Sequence, residues 1–156
     1  MFRIETEKEL QQAFRPRDRR TLELPEGMRF PLFVRDYLSW TEPTGTRVFL
    51  LMPSPGNERK PVGIAFRRDA QGGGGMSMCD WCHTPGAAQG VGMLTTDVNS
   101  KRRVGVHVCL DLGCQERLET ESHLSGRHPR EAMKPLMERM QRFTRDALRI
   151  DTPPED

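Results

Sequence analysis

With 156 residues, 35% of them hydrophobic and only 6% aromatic, the chain has material for one modest domain, and a cross-link would help to close its core. No apolar run is long enough to span a bilayer, and residues 1–7 lack the apolar segment of a signal peptide, which predicts a cytoplasmic chain in a reducing compartment. The formal net charge of +2 singles out no partner, but residues 98–149 hold eleven Lys/Arg against seven Asp/Glu, so either an acidic partner docks on the second half or the excess is a solvated helix face.

Residues 6–14 read as a short helix, with Thr6 as its cap, Glu7 and Glu9 in the first turn, and Leu10, Ala13 and Phe14 on one side. Arg15-Pro16-Arg17 ends it. Arg15, Arg17, Arg19 and Arg20 form a basic run that is too short, and too interrupted by Asp18, for a nucleic-acid arm. Residues 21–24 alternate like a strand before a turn at 25–27. Residues 30–40 are the apolar centre of the first half, and their pattern leans to a helical turn over 35–39 with a loop at 41–45. Residues 47–52 and 61–67 form a β-hairpin around the Pro/Gly/Asn cluster at 53–57.

Residues 69–75, with four consecutive glycines, predict a flexible joint. No Gly-Lys-Ser/Thr follows, so they are not read as a phosphate loop. A strand at 76–78 and a loop at 84–88 precede a second hairpin, 91–98 with 102–108, which places Val104, Val106 and Val108 on one face. A helix over 110–118 and a polar connector at 122–128 follow. The last helix repeats Met133, Leu136, Met137, Met140, Phe143, Ala147 and Leu148 at helical spacing, with Pro135 expected in its first turn and Arg139, Arg142, Arg145 and Arg149 opposite. Residues 152–156 read as a frayed acidic tail.

The four cysteines come as two close pairs, Cys79-Asp80-Trp81-Cys82 and Cys109-Leu110-Asp111-Leu112-Gly113-Cys114. Two short-spaced thiolate pairs suit one tetrahedral structural zinc ion. The first pair fits a knuckle at a hairpin tip and the second the start of a helix, the order of a treble-clef finger. Two disulfides are the alternative, disfavoured in a reducing compartment. A Cys-x-x-Cys redox pair lacks its thioredoxin-like unit. His83 and His107 flank the pairs and can substitute for a cysteine, or lie just outside a site the cysteines already complete. Four sulfur ligands leave no open position, so no enzymatic role is expected.

The blocks 77–82 and 108–114 resemble the C-terminal treble-clef zinc-finger domain of elongation-factor-G-binding proteins, the fibronectin-binding-protein-like or FusB-type fusidic acid resistance proteins, in a single-domain version. The resemblance implies an α+β fold over 1–156: an N-terminal α+β part with a helix and hairpin at 1–70, a treble clef at 76–122 and a C-terminal helix at 129–150. It implies Cys79, Cys82, Cys109 and Cys114 as zinc ligands, and elongation factor G or the ribosome as partner. It points to Trp81, Lys101, Arg102, Arg103 and Arg117 as the partner-binding residues. Where the family carries a tyrosine three residues after the last cysteine, this chain has Arg117.

Two other functions compete. Lys101-Arg102-Arg103 beside Trp81 would give an RNA- or DNA-binding finger its backbone charge and one stacking platform. An enzyme site around Asp36, Tyr37 and Trp40 has no motif to support it.

Overall fold

The computed structural model describes residues 2–68, 78–83 and 90–148, with the backbone alone at 57 and 58. Strand β1 (Phe2–Ile4) leads into α1 (Glu7–Ala13) and the one-turn α2 (Pro16–Arg19), followed by β2 (Leu32–Val34), β3 (Leu38–Thr41), β4 (Arg47–Ser54) and β5 (Asn57–Arg68). The second half supplies β6 (Val91–Asp97), β7 (Arg103–Cys109), α3 (Cys114–Ser125) and α4 (Pro129–Asp146). β1 pairs with β2, and β3-β4-β5-β6-β7 form one antiparallel meander. The architecture is α+β and ends in a helix, as the sequence implied.

The run Val48-Phe49-Leu50-Leu51-Met52 is apolar at every position, the pattern of a strand buried on both faces. Successive side chains of β4 accordingly enter different cores. Phe49 and Leu51 join Phe2, Ile4, Leu10, Phe14 and Val34 under the N-terminal elements. Val48, Leu50 and Met52 join the cysteines, Trp81 and the apolar stripe of α4. The finger hairpin β6–β7 adds to the same sheet through Arg67↔Thr95 and Arg68↔Leu94. Hairpin region and finger therefore share one sheet.

Local chemistry fixes the ends of α1. Thr6 Oγ1 accepts the Glu9 N–H at 3.2 Å, and the Arg19 side chain donates to the Gln11 and Phe14 carbonyls at 2.9 and 3.0 Å. Phe14 then lies flat against β5 at Gly63, where an added Cβ would sit 2.5 Å from the ring. Gly63→Ala is expected to cost about 1–3 kcal/mol by overpacking. Chemical denaturation measures it, and Phe14→Leu in the same chain should recover part of the loss.

Five local expectations are corrected. Residues 21–24 join no strand; Leu22 and Leu24 pack on the N-terminal core, and the alternation reflects that contact alone. Residues 35–39 make no helical turn. They bend at Arg35 and Asp36 and enter β3, whose ladder with β4 outweighs a local helical pattern. The helix expected over 110–118 starts at Cys114, because the Cys109–Gly113 turn must first bring the second sulfur round. It runs to Ser125, absorbing half of the expected connector, and Gly126 ends it at φ +75°. In α4, Pro129 takes the first-turn position and Pro135 lies inside the helix.

The N-terminal strand β1 was missed, its three residues being too few for a periodicity. The joint at 69–75, the loop at 84–88, Arg149 and the tail at 152–156 lie outside the described residues, as does most of the strand expected at 76–78. Among the described residues, no helix is long and apolar enough to cross a membrane.

Candidate metal centre

Each ligand pair is presented by a tight turn. After Cys79 the chain turns so that the His83 N–H donates to the Cys79 carbonyl at 2.8 Å, and the Leu112 N–H donates to the Cys109 carbonyl at 2.9 Å. Both turns require a non-glycine residue in the left-handed region, His83 at φ +59° and Leu112 at φ +53°. That conformation costs about 1–2 kcal/mol per residue and is held where the surroundings impose it. Cys79 and Cys82 thus come from the knuckle, Cys109 from the last residue of β7 and Cys114 from the first residue of α3.

The four sulfurs lie within 4.8 Å of one another and all four residues are buried. Cys79 Sγ is 3.7 Å from Cys114 Sγ, and Cys82 Sγ is 3.6 Å from Cys109 Sγ. These separations exclude disulfides, whose S–S bond is about 2.05 Å. They match the edge of a tetrahedron with Zn–S of about 2.3 Å, which is about 3.8 Å. The cluster contains neither His83 nor His107. His107 instead uses its carbonyl to accept the Asp80 N–H at 2.8 Å, pinning the knuckle to β7.

The electrostatics also ask for a cation. Cys79 is pulled down to about 7 by hydrogen bonds with the Cys109 and Cys114 thiols. Its sulfur also accepts the N–H groups of Trp81, Cys82 and Cys109, each at 3.4 Å. Cys114 is pushed up by its contacts with Cys109, Cys79 and Cys82 and by burial. For Cys109 the Cys114 thiol lowers the value, but Cys79, Cys82 and burial outweigh it and push it up. Four buried thiolates cannot coexist at this distance without a divalent ion to neutralise them. The donor set, spacing and charge fit one structural zinc.

A surrounding frame orients the ligands. The Tyr37 hydroxyl donates to the Leu112 carbonyl at 2.5 Å and accepts the Gln115 N–H at 3.0 Å, so it clamps the turn between Cys109 and Cys114 from the residue before β3. Burial pushes its phenol up, keeping it protonated as a donor. Tyr37→Phe is expected to cost about 1–3 kcal/mol by leaving the carbonyl and N–H unpaired, and to speed zinc transfer to a chromogenic chelator in stopped flow. Asp111 accepts the Gly113 N–H at 2.9 Å and pairs with both Arg117 Nη groups at 3.1 Å. Burial alone would raise its carboxyl, but these contacts prevail and hold it below the usual range.

The five residues singled out for partner binding divide. Lys101, Arg102 and Arg103 are exposed at the β6–β7 turn. Arg117 is half-buried and committed to Asp111. Trp81 is a correction: at 3% exposed it faces inward, edge-on to Phe66 and Phe143 with centroids 6.3 and 5.8 Å away. The Arg139 guanidinium donates to its carbonyl at 2.6 Å. A knuckle tryptophan that joins the core can neither stack a base nor meet a partner. Asp36, Tyr37 and Trp40 do not converge either. Asp36 pairs with Arg35, Tyr37 faces the metal turn, and the Trp40 indole donates to the Glu23 carbonyl at 2.7 Å.

The family model described as the FBP C-terminal treble-clef zinc-finger matches residues 8–150, which include all four cysteines. No curated protein matches the chain. Among solved structures, the chain is similar to one described as the fusidic acid resistance protein FusC, with 14% identity and a TM-score of 0.46. The match covers 68% of this chain and 47% of that one, so the chain spans about half the length of that protein.

Proposed function

This chain belongs to the FBP C-terminal treble-clef zinc-finger family, and from that premise we propose that it is a zinc-stapled protein-binding module that engages elongation factor G, or the ribosome that carries it, and modulates translation in the cytoplasm. The observation that carries this reading is the extent of the family match, from α1 through the finger into α4. We propose no catalytic role, because four buried sulfurs would leave a zinc ion no position for a substrate.

The docking face in this reading is the finger's outer side. A hollow of about 250 Å³ between α3 and α4 is lined by Cys82, His83, Glu121, Arg127 and Arg139, next to the knuckle.

The test is retention of purified elongation factor G on the immobilised, zinc-loaded chain, followed by calorimetry. The expected result is micromolar or tighter binding that is lost on chelation and weakened by Arg127→Glu, an exposed residue of the hollow. No retention at micromolar concentrations with one zinc per chain overturns the proposal.

A further inference from the structure

Away from the metal, the fold gathers arginines that are far apart in sequence. A cavity of about 220 Å³ lies where α2 meets the ends of β4, β5, β6 and β7, and Arg17, Arg47, Arg67 and Arg103 line it with Asp18 and Asp97. Arg47 and Arg67 are direct cross-strand partners. Like charges in that position destabilise a sheet unless something between them is negative. Arg47 has Glu42 only at 3.8 Å, and Arg17 and Arg67 have no carboxylate within 4.0 Å among the described residues.

The two acids of the cavity are already engaged, Asp18 by Arg15 at 3.0 Å and Asp97 by Arg103 at 2.8 Å. Arg103, Arg67 and Arg17 together hold the Asp97 carboxyl below its ordinary range, so their fields meet there. Arg15, which fastens this corner to the Val98 carbonyl at 3.1 Å, keeps a buried Nη2 with no hydrogen-bond partner. A second hollow adjoins the first, shares Asp97 and Arg103, and adds Lys101 and Arg102. Asn99 Oδ1 shapes that turn by accepting the Lys101 and Arg102 N–H groups at 2.9 and 3.0 Å, leaving both side chains exposed.

We propose that this basic strip, from Arg47 and Arg67 through Arg17 and Arg103 to Arg102 and Lys101, binds the phosphodiester backbone of a nucleic acid. Its two linked hollows suit successive phosphates better than one small anion. The finger's Trp81 and its neighbours Phe66 and Phe143 are packed against each other and supply no stacking platform, so binding is by charge and indifferent to base. The site is distinct from the proposed docking face on α3 and α4.

The experiment is fluorescence anisotropy with labelled oligo(U) RNA and oligo(dT) DNA on the zinc-loaded chain across a potassium chloride series. Binding is expected with a slope of log K against log salt of about −2 to −3, since each single-strand phosphate contact contributes about −0.7. Arg17→Glu with Arg67→Glu should weaken binding at least tenfold at low salt and flatten the slope. Arg130→Glu with Arg145→Glu on α4 should change it less than threefold. Both arginines of the first pair are exposed, so an unchanged thermal transition is expected to confirm folding.

Comparison of the two oligonucleotides separates RNA from DNA as the source of the backbone. No binding at low salt, binding independent of salt, equal affinity in the Arg17/Arg67 variant, or displacement by an equimolar amount of pyrophosphate overturns the proposal. Because elongation factor G retention is read separately, either proposal can fail while the other stands.

Discussion

Chelation of zinc is expected to abolish the cooperative unfolding transition of this protein, and Cys114→Ser to do the same without a chelator. The cysteines are not a peripheral clip. All four belong to the larger core, alongside residues of β4, β5, β6, β7 and α4. Structural zinc sites contribute about 10–16 kcal/mol in small peptides, and a domain's entire stability is about 5–15 kcal/mol. Loss of the ion therefore removes an amount comparable to the whole.

Acid should act in the same direction as chelation, because protons compete with metal for the thiolates and stability falls as pH falls. In the metal-free pocket the sign reverses for Cys109 and Cys114. Their raised folded values favour the protonated thiol, a contribution present below the ordinary thiol value of 9.0 and lost as pH rises. Zinc loading near neutral pH should accordingly release at least the protons held by these two thiols, as read by an indicator dye. Circular dichroism melts of the chelated protein decide the main point. A steep transition at an unchanged midpoint would show that the metal is dispensable.

The second large effect is expected at Trp81. Trp81→Ala should cost about 3–5 kcal/mol, the range for an aromatic removed from a core. Any loss of the proposed elongation factor G binding should follow the loss of folded protein, because Trp81 offers a partner no exposed surface. An exposed docking tryptophan gives the opposite result, normal stability with lost binding. Trp81 packs between Phe66 of β5 and Phe143 of α4, so its removal opens the junction of knuckle, sheet and terminal helix. A midpoint shift under denaturant, with binding measured on the same sample, separates the two.

What could be read from residues alone follows the physics of range. The metal site was legible because ligand spacing is local: two pairs, each within one turn, leave few arrangements for a tetrahedral ion. The hairpins 47–67 and 91–108 were legible from turn residues between β-branched and apolar runs. Trp81 was not, because whether an aromatic at a knuckle faces in or out depends on Phe66 and Phe143, which lie 15 and 62 positions away. Residues 35–39 misled for a similar reason, as a ladder with β4 decides their conformation. The basic strip was not legible as a whole, because Arg17 belonged to one short run and Arg103 to another, and only the pairing of β4, β5, β6 and β7 brings them to Arg47 and Arg67. The Arg15–Arg20 run was dismissed as an arm, yet Arg15 and Arg19 brace the backbone while Arg17 alone turns to the cavity.

Zinc fingers are often portable cassettes, transplanted between proteins with their function intact. The double burial of β4 makes this one an exception. Its sulfur cluster shares one core with Val48, Leu50 and Met52, and the reverse side of the same strand belongs to the core of the N-terminal elements. An excised finger would leave behind the wall it leans on and bare an oily flank to water, and the remainder would lose its floor. The finger can be moved to another protein only together with the sheet that carries it.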